Sequence, residues 1–562
     1  MRSNGCTVAT IACLAWAGGG ADVSHGQQKT LGQQEALVDT SLLDGADGAL
    51  LEAMLADTEQ GIGELAVRTR VRQRSASVNQ VSLYRRARWT LPSGHQFHVV
   101  AERDAGEPDW HDFVALYGRW QLSEAVQVHV GDLRPGFAQG LVFSRGSGRG
   151  GTVTPLRRSD SDAIGYRASG ENQALRGVSL RLHHRRIVST LIAASLRRDA
   201  SLDTAGSVIS LPASGRHVSA VEQVGKNQLS GTLLGLRVHH RNGGLQLGAT
   251  WCRLSADSKI DLRRPESRPE GFEGESQRLA SIDVSIGRRR RGGAVVFGEA
   301  AVDGRREWGL VAGGRAAGNG VRFDGLARYY SAGFHSFFGG SASSVGMNNE
   351  LGLALALQGR RGRLFRWRLF HDRYQRPSLS AGGEGVATSS VWGGLLQSQI
   401  GRHWHLDTTL QQRRRLRSAG SPHDYSLDVR VDAIRDLAGQ GTAVRLRSEW
   451  KRVRVQSEGP QAGVNISMSW KKQQGTRHYA FHLSRFLTPS YDARIYEYER
   501  DFPGSVSIRA LYGDGWRGVA MVRGELGRGF FLALRCRHQR VGGEPRRLDT
   551  LTGLQIDYES PG

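Results

Sequence analysis

The chain has 562 residues, carries 76 Lys and Arg against 53 Asp and Glu, and has a formal net charge of +23. Past the first residues only Cys252 and Cys536 remain, which excludes a disulfide framework. No stretch supplies the roughly 18 consecutive apolar residues of a membrane-spanning helix, so a membrane protein made of this chain has to be a barrel. The basic excess is mostly Arg. It suits phosphate-bearing partners, namely nucleic acid, lipid headgroups or anionic solutes, and equally a wet surface lined with Arg.

Arg2, the apolar run from Thr7 to Ala17 and the small-residue pattern Ala15-Trp16-Ala17 predict a cleaved secretory signal over residues 1–17. Residues 18–63 read as a periplasmic N-terminal segment, partly helical. Its one amphipathic helix falls around Ala49 to Leu55, with Leu50, Leu51, Met54 and Leu55 on one face. From Glu64 to the end, residues 64–562, the dominant period is two. Tyr425, Leu427, Val429 and Val431 alternate with Ser426, Asp428 and Arg430, and Val464, Ile466 and Met468 alternate with Asn465, Ser467 and Ser469. A soluble sandwich alternates too, so the connections decide between the two.

The strands number roughly 26, each about ten residues long, within the range of single-chain outer-membrane barrels. Every second connection is short, as at Leu91-Pro92-Ser93-Gly94, Arg241-Asn242-Gly243-Gly244, Gly359-Arg360-Arg361-Gly362 and Gly527-Arg528-Gly529. All the long ones fall between them, at 144–175, 200–228, 256–276, 331–346 and 375–385. That parity is what two rims facing different compartments produce, and it predicts an all-β, transmembrane, antiparallel up-and-down barrel. Trp89, Trp120, Trp404 and Trp470 cluster at strand ends near the short turns, as an aromatic girdle would. The last alternating residue, Tyr558, is followed by a four-residue extension, Glu559-Ser560-Pro561-Gly562.

Several short blocks carry a resemblance. Glu102-Arg103-Asp104-Ala105-Gly106-Glu107 precedes Gly131-Asp132-Leu133, then Phe137-Ala138-Gln139-Gly140-Leu141. Tyr166, Ser169, Glu171, Asn172, Arg176 and Gly177 follow, and Arg494-Ile495-Tyr496-Glu497-Tyr498-Glu499 and Tyr512-Gly513-Asp514-Gly515-Trp516-Arg517 close the series. Together they resemble a family of bacterial outer-membrane β-barrels, many of which carry helix-hairpin-helix segments ahead of the barrel. The family reads E-K-D-x-G-E, G-D-Y-x-x-x-F-G-Q-G-L, Y-x-S-x-x-E-N-x-x-x-R-G, R-I-Y-x-Y-E and Y-G-x-G-x-R. Here Leu133 replaces the usual Tyr, Ala138 replaces a Gly, and the helix-hairpin-helix segment is missing. The resemblance implies a barrel from about Glu64 onward.

By strand parity the motif loops emerge on one rim, the outer one. Asp104, Glu107, Gln139, Glu171, Arg176, Tyr496, Glu499 and Gly513 are therefore expected to form an outer-loop cluster. Its polar core would be Asp104, Glu107, Glu171 and Arg176. Arg181, Arg366, Arg368, Arg430, Arg445, Arg447, Arg535 and Arg537 fall on polar strand faces and are expected to line the lumen, which would favour anions if enough of them are unpaired.

Gly146-Ser147-Gly148-Arg149-Gly150-Gly151 matches a dinucleotide fingerprint in letters, but no helix start follows, so it reads as an outer-loop glycine run. No nucleophile elbow, zinc-protease or phosphate-loop motif occurs. His183-His184 and His239-His240 put neighbouring side chains on opposite strand faces and read as turn residues near the interface. No catalytic, cofactor or metal residue is assigned. The leading reading is an outer-membrane pore or translocation scaffold, a monomeric barrel surrounded by lipid, with anionic solutes or a periplasmic or plug partner. The alternatives are a cell-surface nucleic-acid binding or uptake component and a hydrolase embedded in the barrel.

Overall fold

The computed structural model describes residues 65–74, 80–145, 158, 160–161, 164–212, 214–263, 271–287, 293–343, 346–362, 364–377, 388–416, 424–437, 441–455, 459–542 and 547–560. The signal segment, the helix expected around Ala49 and the glycine run from Gly146 lie outside the described residues. Among the described residues the helical content is one short turn, Ala220–Val224.

Among the described residues there are 28 strands; four belong to insertions, and the other 28 − 4 = 24 form one antiparallel wall. The wall closes where the first strand, Leu65–Arg74, pairs with the last, Arg547–Glu559, with Val67 opposite Tyr558. Elsewhere each wall strand pairs with the next one along the chain. At two places the wall skips an insertion. Ile187–Arg198 pairs directly with Leu229–Asn242, and Arg477–Thr488 directly with Gly513–Gly527.

This corrects the expected 26. Ile495–Glu499 and Ser507–Leu511 alternate like wall strands, because any two-stranded ribbon has the same pleat, but as strands they pair with each other and with no wall strand.

The two faces of the wall are inverted relative to a soluble protein. On Gln461–Gln474, Ile466 is 61% exposed while its neighbours Asn465 and Ser467 are buried. On Glu350–Arg361, Leu351 and Leu353 point outward and Glu350 is fully buried. The pattern recurs around the wall, with Leu234, Ile282, Leu310, Leu369, Leu410 and Leu534 all exposed. In water each such side chain would forfeit about 25 cal/mol per Å² of apolar surface, and in hydrocarbon it forfeits nothing. The exterior is therefore a lipid-facing belt. Trp89 and Trp404 sit on it beside short turns, and Trp89, Phe97 and Trp120 form one aromatic contact series there.

The lumen is filled from within. The connection that begins at Arg134 folds inward, so that Leu141 and Phe143 are buried against wall residues Leu233, Leu254, Leu279 and Leu326. The connection 331–349 meets it there: Ser144 N donates to Phe338 O at 2.9 Å and Gly340 N to Gly140 O at 3.0 Å. Gly140 holds a φ of +88°, and a Cβ would crowd Arg158 and Ser144, so glycine is required at this close approach. On the other side of the barrel the hairpin from Ile495 to Leu511 fills the space. Its Glu497 accepts from Ser484 and Asn465, and its Asp501 accepts from Arg72 at 2.7 Å.

Candidate functional site

Three outer connections meet around one histidine. The loop 104–112 follows strand Gln96–Arg103, and Glu171 closes the connection that leads into strand Leu175–His184. His217 belongs to the insertion 199–228. This insertion is ordered locally by the Ala220–Val224 turn, where Ser219 and Glu222 form a reciprocal capping box.

His217 is buried. Its Nδ1 pairs with Asp112, its Nε2 lies 3.0 Å from Asp199 Oδ2, and its backbone N–H donates to Glu107 Oε1 at 3.0 Å. Glu107 Oε2 accepts from Asp104 N at 2.7 Å, and Lys226 Nζ reaches Asp112 Oδ1 at 2.5 Å. Asn172, at a φ of +60°, spans the same junction by donating to Asp199 at 2.8 Å. Glu171 Oε2 stands 3.7 Å from His217 Nδ1.

Four carboxylates thus share one imidazole and one ammonium. Burial, followed by the charges of Asp112, Glu107 and Asp199, pushes the Glu171 carboxyl up to about 9. Burial likewise raises Glu107, against the two backbone N–H groups that favour its ionised form. Glu107, Asp112 and His217, and Glu171, Asp199 and His217, each bring ligand atoms within 4.8 Å of one another, a spacing a cation could use. His217 and Lys226 already meet Asp112, and Asp199 accepts from the Asn172 side chain and the Asn227 backbone N–H, so both aspartates have partners inside the cluster.

Of the eight outer-cluster residues expected from sequence, the structure brings together Glu107 and Glu171, with Asp104 lending its backbone N–H. Arg176 stands apart on the wall, where it pairs with Asp132 at 2.9 Å. Gln139 is in the lumen, its N–H donating to Glu299 Oε2 at 2.8 Å. Tyr496 and Glu499 belong to the lumenal hairpin. Tyr496 accepts from Arg494, and Glu499 is fully buried between Arg517 and Arg535. Gly513, with a φ of +88°, starts the wall strand after that hairpin.

Sequence reasoning missed Asp112, Asp199, His217 and Lys226. The one local signal was the Ser219…Glu222 capping box, which marks an ordered turn without marking its neighbours.

The expected lumenal arginines are largely met by acids. Asp432 lies 2.7 Å from Arg447, 3.4 Å from Arg430 and 3.8 Å from Arg445. Arg535 bonds Glu499 at 2.7 Å, and Arg537 pairs with Asp549. Arg181 is buried and donates to His183, Arg368 donates to Gln358, and Arg366 is exposed. His239 is also a lumenal residue, its Nδ1 2.9 Å from Asp160, and not the interfacial turn residue the sequence suggested.

No protein-family model and no curated protein matches the chain. Among solved structures the chain is similar to a mutant of the ferric enterobactin receptor of Pseudomonas aeruginosa, at 7% identity and a TM-score of 0.46, covering 88% of this chain and 80% of that one. It is also similar to the siderophore receptor PirA of Acinetobacter baumannii, at 8% identity and 0.43, covering 88% and 80%. The FrpB iron transporter of Neisseria meningitidis is a third, at 9% identity and 0.40, covering 88% and 82%. The closed wall and its apolar exterior define the chain as a large β-barrel of the outer-membrane type.

Proposed function

We propose that this protein is an outer-membrane pore or translocation scaffold whose lumen is shut at rest by its own connections. The observation that carries the reading is the hairpin Ile495–Leu511, which lies on the lumenal side as a separate two-stranded ribbon held to the wall through side chains. A wall of two dozen strands encloses far more space than its own side chains fill, and an open lumen of that width would leak. A plug attached by side chains can be withdrawn without unzipping the barrel, because no strand-to-strand hydrogen bond of the wall has to break.

The paired lumenal arginines suit a passage that is polar without being strongly single-signed. Solutes or a periplasmic partner that engages the hairpin would open it, and lipid surrounds the belt. Replacing residues 490–511 by a short Gly-Ser turn should leave the barrel heat-modifiable on gels and sensitise expressing cells to antibiotics normally excluded by the outer membrane. Unchanged sensitivity in cells displaying the folded variant would remove the basis for this reading.

A further inference from the structure

The lumen brings a hydroxyl, an imidazole and a carboxylate into close contact, a chemistry that the plug reading does not use. Ser469 and His482 stand directly opposite each other on neighbouring wall strands, Gln461–Gln474 and Arg477–Thr488. Opposed residues share a face, and both lie on the inner one: His482 is buried, Ser469 is half-buried, and Met468 and Leu483 beside them face outward. Ser469 Oγ is 2.7 Å from His482 Nδ1, and His482 Nε2 is 3.0 Å from Glu497 Oε1. Glu497 is held in turn by Ser484 at 2.9 Å and Asn465 at 3.2 Å.

The order of contacts sets the tautomer. A carboxylate accepts only, so with Glu497 Oε1 3.0 Å away the proton is favoured on Nε2, which leaves the Nδ1 lone pair facing the Ser469 hydroxyl. A hydroxyl within reach of a base that a third group orients is the arrangement of an activated serine. Ser469 lies in the half of its strand nearer the turn at Gly475, on the short-turn side of the barrel. Arg445, opposite Ser469 in the wall, and Lys471, two residues along the same face, set a positive side beside the hydroxyl.

We propose that Ser469, His482 and Glu497 form an acyl-transfer site that hydrolyses small carboxylic esters, with preference for anionic ones. Ser469 Oγ attacks the ester carbonyl carbon while its proton passes to His482 Nδ1. The carbon–oxygen bond to the alcohol then breaks, and the alcohol leaves with that proton. Water attacks the acyl-serine, again through His482, releasing the acid and restoring the hydroxyl, so ester and water give acid and alcohol. Ser469 and His482 are the catalytic residues. Glu497 is a positioning residue, and because it sits on the hairpin the site is complete only when the plug is seated.

This inference does not rest on the pore reading, and its test needs no conduction. The full chain in detergent is treated with a fluorophosphonate probe, with heat-modifiable migration confirming a folded barrel for each variant. One label per chain is expected, on Ser469. Ser469→Ala should abolish it, His482→Gln should slow it by at least roughly tenfold, and Ser467→Ala, one step along the same inner face, should leave it unchanged. Glu497→Gln should slow labelling roughly tenfold, with Glu497→Asp restoring part of the loss, which a merely structural role would not do. A folded parent that takes no label, or a label that persists in Ser469→Ala, overturns the proposal. Either result would leave the plugged-pore reading untouched.

Discussion

At the scale of single residues, the outer cluster and the wall seam make separate claims. The folded-state Glu171 carboxyl is raised to about 9 from an ordinary value of 4.5. Between those values the unfolded chain loses a proton that the folded chain keeps, so the stability this group lends is fully present below about pH 4.5 and is lost as pH rises toward 9. Glu171→Gln should therefore protect the outer loops from proteolysis at pH 8 to 9 and change little near pH 4; protection equal at both ends would contradict the placement. At the seam, Arg68 Nε bonds Asp557 Oδ1 at 2.6 Å, with both side chains buried. Asp557→Ala strands the guanidinium and should cost about 3 kcal/mol, read as a lower urea midpoint for unfolding in detergent. Neither site was legible in full. Glu107 and Glu171 stood out through their motif blocks, whereas His217 sits in a long connection with no repeating pattern, and only folding brings it to them.

At the scale of elements, the sequence carried the wall and misread the plug. Alternation and turn parity are consequences of pleat and of two unlike rims, so they survive in the residues and can be read there. Partnership is not written in the same way. The run from Arg494 to Glu499 has the alternation of a wall strand, yet Ile495, Glu497 and Glu499 turn toward the lumen wall and its companion strand is local. The inward fold of the 134–145 segment was similarly hidden, because Phe137, Leu141 and Phe143 read as loop residues until they meet Phe334 and Phe338. The buried acids Glu499 and Asp501, met by Arg517, Arg535 and Arg72, hold the hairpin together with wall side chains that reach its backbone carbonyls, and no wall strand pairs with it. An element fixed this way is separable from the wall, which is the physical content of calling it a plug.

For the whole molecule, the apolar exterior, the closed seam and the occupied lumen belong together. A barrel removes the strand edges that an open sheet would expose, and its lipid-facing belt leaves polar residues only the interior. That interior is wide, so the connections of one rim fold into it and bring their own acids to the lumenal arginines. If closure comes from the chain itself, as proposed, single-channel recording in planar bilayers will show it. The parent protein is expected to be nearly silent, and the variant with residues 490–511 replaced by a short turn to open large, long-lived channels. A parent that conducts freely, or a folded variant that stays as silent as the parent, would contradict it.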